Sequence, residues 1–248
     1  PGAAGDHLAK SENAYHVVTG THARPGTLLD GFVITGGVAA GGAPTSTWPG
    51  SGGGAGLYCS GGSPTVDHCL FRENFGVYGG ALLAGDGCHS LIVNSVFANN
   101  GVLGEYGNGG AAYCIESYPT FANCTIVRNT APPPPACGCA AGGIACSEGA
   151  ATVVNCVVWG NEHAQLDGCD VLYSCVQGGA DGTGNIDLPP RFVGEAAGDF
   201  RLRADSPCVD AGSNGEVRRL GLDLQGLLRI AFGRRSLDVD LGALEHGS

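Results

Sequence analysis

The ten residues Thr120-Phe121-Ala122-Asn123-Cys124-Thr125-Ile126-Val127-Arg128-Asn129 set a pattern that returns several times, and any fold of this chain must accommodate every copy. With Cys124 as position 0, the equivalents are Phe32, Cys69, Ser95, Cys156 and Cys175. Unequal spacing between copies marks a solenoid whose coils carry loops of different length. Position −3 holds Leu29, Val66, Ile92, Phe121, Val153 and Leu172, and position +2 holds Ile34, Phe71, Phe97, Ile126, Val158 and Gln177. Both columns read as core. A straight strand cannot turn both inward, because alternation from −3 brings −1 and +1 to the same face and sends +2 to the other. Position −1 is Gly31, His68, Asn94, Asn123, Asn155 or Ser174. Glycine and asparagine tolerate left-handed backbone, so a one-residue corner between two short strands is expected there. At +5 stand Asn74, Asn100, Asn129 and Asn161, whose amides are placed to hydrogen-bond from coil to coil.

A Gly-rich strand opens each coil, as in Gly53 to Cys59, Gly79 to Ala84, Gly109 to Cys114 and Gly142 to Cys146. Its inward positions are expected at −12 (Leu57, Leu83, Ala112, Ile144) and −10 (Cys59, Gly85, Cys114, Cys146). Three short strands per coil make an all-β, single-stranded, triangular parallel solenoid. The expected organisation is a lead-in at 1–26, coils over 27–180 and an irregular capping segment at 181–248. Variable loops, including the stiff Pro132 to Pro135 run, fall at one corner.

Cysteine use follows the coil. Cys59 with Cys69, Cys114 with Cys124 and Cys146 with Cys156 occupy −10 and 0 of one coil, and the coil with Gly85 also has Ser95. Joint loss suggests partnership, so these three pairs are predicted as intra-coil disulfides, with Cys169 and Cys175 as a fourth; the alternative is a ladder of free thiols packed as small hydrophobes. Cys88, Cys137, Cys139 and Cys208 have no assigned partner. Twelve cysteines point to an oxidising compartment. Cys137 and Cys139 with Cys146 form no paired CxxC and have no neighbouring histidine, which argues against zinc.

The net charge of −11 and a lone lysine, Lys10, exclude a nucleic-acid or anionic-membrane partner as the expectation. No apolar run of spanning length occurs, and the absence of methionine leads to the expectation of a processed or cloned start, with any export signal upstream. The 45 glycines show no G-X-Y period and fit many tight turns.

Gly109 to Asn129, with GGAAYC followed by YPTFANCTIVRN, resembles coils of bacterial secreted or surface right-handed parallel β-helix repeat proteins, which read like GGAxxYC and then SPTxxNCTIxxN. Asn13 to Val18 with Leu29 to Phe32 is similar to their opening segment, and Ser206 to Glu245 is similar to their SPCxDxG, DxxG and VDxGAxE ending. The resemblance implies an extracellular or cell-surface protein. The same fold hosts polysaccharide lyases and glycosidases, which the resemblance would give clustered carboxylates on the outer face of the first strand.

On that face the outward positions −13 and −11 carry no acid or base. Asp86, Glu116 and Glu148 follow it and offer a weak Ca²⁺ site, against a reading as solvated turn charges; no other cofactor is expected. Trp48, Tyr58, Tyr106 and Tyr113 are glycan-stacking candidates, weighed against local packing. His68 is expected to fill the asparagine column. Position +1 reads Val33, Leu70, Val96, Thr125, Val157 and Val176, an apolar stripe on an outer face. The C-terminal segment, with Leu220, Leu222, Leu227, Leu228 and Ile230, is expected to fold over it. The function expected is non-catalytic, structural or adhesive, with head-to-tail self-assembly into a surface filament or layer, or another surface protein as partner; a polysaccharide-active enzyme (lyase or glycosidase) or a glycan-binding module is the alternative.

Overall fold

The structure, a computed structural model, describes residues 13–24, 26–41, 52–105, 107–132, 140–215, 222–226 and 239–245. Three parallel sheets of six strands each stack one strand per coil. The first contains Val18–Thr19, Leu57–Ser60, Leu82–Gly85, Ala112–Ile115, Ala141–Ser147 and Ala164–Asp167. The second contains Leu28–Asp30, Thr65–Asp67, Leu91–Val93, Thr120–Ala122, Ala151–Val154 and Cys169–Leu172, and the third runs from Val33–Thr35 through Thr125–Val127 to Cys175–Val176. A short fourth sheet joins Val38–Ala39, Phe75–Gly76 and Gly101–Val102 at the loop corner. Two-residue strands leave no periodicity to read, so this sheet is invisible in the sequence.

The expected corner is present in every coil. Gly31, His68, Asn94, Asn123, Asn155 and Tyr173 have φ of 76°, 49°, 48°, 52°, 52° and 45°. A second left-handed corner falls at Gly36, Glu73, Asn99, Arg128 and Gly160, and a third at Gly61, Asp86, Glu116 and Glu148. Each costs an L-residue about 1–2 kcal/mol, offset by the burial that the turn permits. Val66, Ile92, Phe121 and Val153 are buried at −3, and Ile34, Phe71, Phe97, Ile126 and Val158 at +2, with the Phe71 and Phe97 rings stacked at 4.6 Å.

Two registers differ from the sequence reading. Leu172 pairs with Val154 and Cys175 with Val157, so position 0 of the last coil is Ser174, its core residues are Val171 and Val176, and Cys175 faces outward. The corner there is Tyr173, a residue type that gives no left-handed signal. In the third coil, Leu82 pairs with Leu57 and Ala84 with Cys59, so Leu82 and Ala84 point inward while Leu83 points out and Gly85 lies outside the cysteine column. Leu83 is nevertheless buried, because the Gly53–Gly54 backbone lies on it and leaves no room for a side chain at either glycine.

The +5 asparagines form a continuous ladder. Asn129 Oδ1 accepts from the Asn100 backbone N–H and from Asn100 Nδ2, both at 3.0 Å. Its own Nδ2 donates to Phe97 O at 3.0 Å and to Asn161 Oδ1 at 2.9 Å. The same bonds link Asn74 to Asn100, and Gln165 ends the row by accepting from Asn161. The ladder thus satisfies the buried amides that a corner removes from the sheets.

Residues 178–215, 222–226 and 239–245 close the last coil and then wrap the outer face of the third sheet. Ile186 pairs with Cys175, and Asn185 Nδ2 donates to Val171 O, closing two of the last strands. Phe192–Gly194 and Asp199–Leu202 then form an antiparallel hairpin. Phe192, Phe200, Leu202, Leu241, Ala243 and Leu244 pack on Val96, Val127 and Val157. The apolar stripe is therefore covered as expected but by other residues: Leu222 is exposed, and Leu220, Leu227, Leu228 and Ile230 lie outside the described residues. Burying each large apolar side chain is worth about 1.5–3 kcal/mol, which explains a stripe otherwise ill-suited to an outer face. The C-terminal motif stitches this wrap together. Asp223 Oδ2 accepts from Glu245 N at 2.7 Å, Asp240 Oδ1 from Asp210 N at 2.8 Å, and Thr125 Oγ1 from Ala243 N at 3.0 Å. Gly242, at φ 92°, runs so close to Thr125 that a Cβ would sit 2.7 Å from its hydroxyl.

Asn129 and Asn123 provide a paired test. Asn129→Ala strands the Asn100 N–H and the Phe97 carbonyl, and each buried orphan costs about 1–3 kcal/mol. The buried Asn123 amide has no hydrogen-bond partner at either atom, and glycine suits its φ of 52°. Urea unfolding is expected to show a loss of about 3 kcal/mol or more for Asn129→Ala and a much smaller change for Asn123→Gly.

Candidate functional site

Chemistry-bearing side chains meet where the second sheet turns into the third in the first two coils. Asp30 and Asp67 end neighbouring strands and are register partners. Stacking places two carboxylates side by side, an arrangement that is unfavourable without a donor between them. His68, the corner residue, supplies it: Nδ1 lies 2.8 Å from Asp67 Oδ1 and 3.3 Å from Asp30 Oδ1. Asn94 Nδ2 donates to the same Asp67 oxygen at 2.9 Å. The two carboxylates therefore require the Nδ1 proton, leaving Nε2 as the imidazole's other nitrogen.

Asp30 and His68 open onto a cleft of about 620 Å³ between the start of the third sheet and the wrapped C-terminal segment. Phe32, Val33 and Leu70 form its apolar wall, and Leu222 to Gly226 its far side. An apolar wall with a polar rim suits a ring that has one apolar face and hydroxyl groups. Because the imidazole occupies the space between the carboxylates, Asp30 and Asp67 do not flank a gap into which a glycosidic bond could enter. The donor atoms of Asp30, Asp67 and His68 all lie within 4.8 Å of one another. Were the Nδ1 proton displaced, they would offer one nitrogen and two oxygens to a divalent cation, a mixed set nearer to zinc than to calcium preference.

Sequence reading placed His68 in the asparagine column, where it is, but missed its neighbours. The signal was present at −2, which reads Asp30, Asp67, Val93, Ala122, Val154 and, by register, Leu172. Only the first two coils carry acid there.

The other candidates are placed as follows. Asp86, Glu116 and Glu148 are exposed left-handed corner residues that turn the backbone as Gly61 does. Among the described residues, their carboxylates do not gather into a three-donor group. Tyr58 and Tyr113 share the outer face of the first sheet, with Leu83 between them in register. Tyr58 packs against His16 at 4.9 Å and Tyr113 against Tyr78 at 5.0 Å, so each belongs to a local aromatic pair. Burial pushes the Tyr113 hydroxyl pKa up and the His16 pKa down. Trp48, Tyr106, Cys137 and Cys139 lie outside the described residues. The ten described cysteines carry no disulfide in this structure. Among the described residues no helix is long and apolar enough to cross a membrane.

Removing the imidazole should expose the carboxylate conflict. His68→Gly keeps the left-handed corner and is expected to cost about 1 kcal/mol in urea unfolding. Adding Asp30→Asn should recover part of it, whereas strict additivity of the two changes would show that the pair is not coupled.

The right handed beta helix region family matches residues 46–179, more than half of the 248-residue chain. No curated protein in the comparison matches it. On the strength of that match and of three parallel sheets climbing one strand per coil, this chain belongs to the right-handed β-helix family.

Proposed function

We propose that the chain is an extracellular, non-catalytic structural or adhesive solenoid that associates through its first coil. The observation that carries this reading is the open end of the stack. The first three sheets terminate at Val18–Thr19, Leu28–Asp30 and Val33–Thr35, each paired on one side only among the described residues. Beside those edges Leu28, Phe32 and Val33 are 58%, 57% and 57% exposed. Unpaired backbone flanked by apolar side chains is a template for strand addition. At the other end, Ile186 pairs with the last strand of the third sheet and Asn185 donates to that of the second, while the last strand of the first sheet, Ala164–Asp167, is paired on one side only among the described residues. Two copies meeting through their first coils about a two-fold axis satisfy both open edges, whereas a filament would also need the partly capped end.

A glycan-binding reading has one specific observation in its favour, the cleft that joins the Phe32 and Val33 wall to the Asp30–His68 rim. Incubation with a panel of neutral and acidic polysaccharides, with and without Ca²⁺, separates the readings. Retention without products supports a binder, and unsaturated or reducing products support an enzyme.

For the first reading, sedimentation velocity is expected to show concentration-dependent dimers. Leu28→Lys, which lies outside the cleft, should weaken the association tenfold or more. A monomer at every concentration would overturn the assembly.

A further inference from the structure

Spacing pairs the cysteines within coils; stacking pairs them between coils. Each of the second to sixth coils places one sulfur in a single row inside the solenoid. Cys59, Cys114 and Cys146 enter it from the first sheet. In the third coil that register position is Ala84, and the corner between the pairs Cys59↔Ala84 and Thr65↔Leu91 is one residue longer than in the second coil. The longer corner carries Cys88 into the space above Ala84, 3.3 Å sulfur to sulfur from Cys59, with both residues fully buried. In the sixth coil Gly168 packs against Cys146 and Cys169 follows it, bringing those sulfurs to 3.9 Å. Both coils that lack a cysteine on the first-sheet strand supply one from beyond it, Cys88 from the corner and Cys169 from the start of the second-sheet strand. A further contact lies outside the row, where Cys208 of the wrapped segment hydrogen-bonds to Cys175 on the outer face of the third sheet within one apolar cluster.

The remaining cysteines are differently engaged. Cys69, Cys124 and Cys156 donate to the carbonyl two residues back at 3.2, 3.4 and 3.2 Å. Ser95 and Ser174 make the same bond at 2.7 and 2.9 Å. From the second coil onward, position 0 therefore holds a small side-chain donor, and serine fills that role as well as cysteine. Cys114 is the register partner of Cys146 on parallel strands, and their thiols also hydrogen-bond. Register partners on neighbouring strands stand about 4.8 Å apart, wider than the Cβ separation of roughly 3.8 Å that a disulfide favours, so this contact is assigned as a hydrogen bond.

We propose that in an oxidising medium the chain forms three disulfides, Cys59–Cys88, Cys146–Cys169 and Cys175–Cys208, the first two joining neighbouring coils and the third fastening the C-terminal wrap to the last coil. In each case one thiolate attacks a small disulfide such as glutathione disulfide and releases one glutathione thiol. The second cysteine then attacks the mixed disulfide and releases the other, so two protons and two electrons leave the protein and two thiols form. Cys169 lines an open cavity of about 470 Å³ at the last coil, which gives the oxidant a way in. Cys59 and Cys88 are reached as the second and third coils open.

The test uses the full chain, purified reduced and shown to be folded by circular dichroism, then equilibrated with glutathione disulfide. Remaining thiols are alkylated under denaturing conditions and peptides are mapped by mass spectrometry. Linked peptides for 59–88, 146–169 and 175–208 are expected, with Cys69, Cys114, Cys124 and Cys156 alkylated. Cys208→Ser should leave Cys175 alkylated and speed amide exchange across 192–202 at least tenfold relative to the oxidised parent. Links between Cys59 and Cys69, Cys114 and Cys124, or Cys146 and Cys156 would overturn the assignment, as would complete alkylation after oxidation.

Discussion

Every coil depends on hydrogen bonds handed to its neighbours, and the corners are where that transfer fails unless a side chain replaces it. Parallel strands satisfy one another along their length, and a left-handed corner residue such as Asn99 or Asn123 still donates to the next coil's backbone, but the N–H of the residue after it turns away from the sheet and needs a side-chain acceptor. The +5 asparagines solve this with one amide per coil. Asn100, Asn129 and Asn161 each accept two hydrogens from the preceding coil and return one to a carbonyl there, as Asn129 does for Asn100 and Phe97, while Asn74 accepts from Gly37 N alone. The ladder fixes the vertical register, and the inward columns then stack like upon like.

The position 0 thiols and hydroxyls repeat the logic on a smaller scale. The Cys69 N–H donates to Ser95 Oγ, that of Cys124 to Cys156 Sγ and that of Cys156 to Ser174 Oγ. Cysteine there is a hydrogen-bonding residue first. Arithmetic within a coil reads cysteine and serine at this position as presence and loss of a bond, whereas both make the same hydrogen bond to the carbonyl two residues back. The sulfurs that approach one another inside the solenoid belong to different coils, and finding Cys88 beside Cys59 requires knowing which corner has one residue more.

Much of the architecture was legible because burial writes itself as columns: Val66, Ile92, Phe121 and Val153, or Phe71, Phe97 and Ile126, have no other reason to recur. Errors arose where a coil departs from its neighbours in length or residue type. Tyr173 in a left-handed corner carries no glycine or asparagine signal, and the anchor of the last coil slipped by one residue, which in a strand reverses every face. The Asp30–Asp67–His68 group was hidden for the opposite reason. Its members are far apart in sequence and unremarkable individually, and only the register of Leu28–Asp30 against Thr65–Asp67 makes them neighbours. The need for a covering segment over the +1 stripe could be read from the stripe itself, but not the identity of Phe192, Phe200 and Leu241, which carry no periodic signature.

The placement of that segment changes how the solenoid should behave as a material. A bare stack is a chain of nearest-neighbour contacts in which coils open singly from the ends. Here the wrap touches Val96 in the third coil, Thr125 in the fourth, Val157 and Asn155 in the fifth and Cys175 in the sixth. A coil cannot leave that block without breaking contacts to a segment shared by the other three, so the block gains cooperativity that nearest-neighbour stacking alone does not give. Among the described residues the first coil has no such brace: Val33 stays exposed at the head of the same stripe. The coil least braced by described residues is thus also the one whose strand edges they leave open, beside the Asp30 carboxylate and the apolar wall of the cleft. Rigidity is concentrated where the wrap lies, and the surfaces suited to recognition are left at the end that can still adjust.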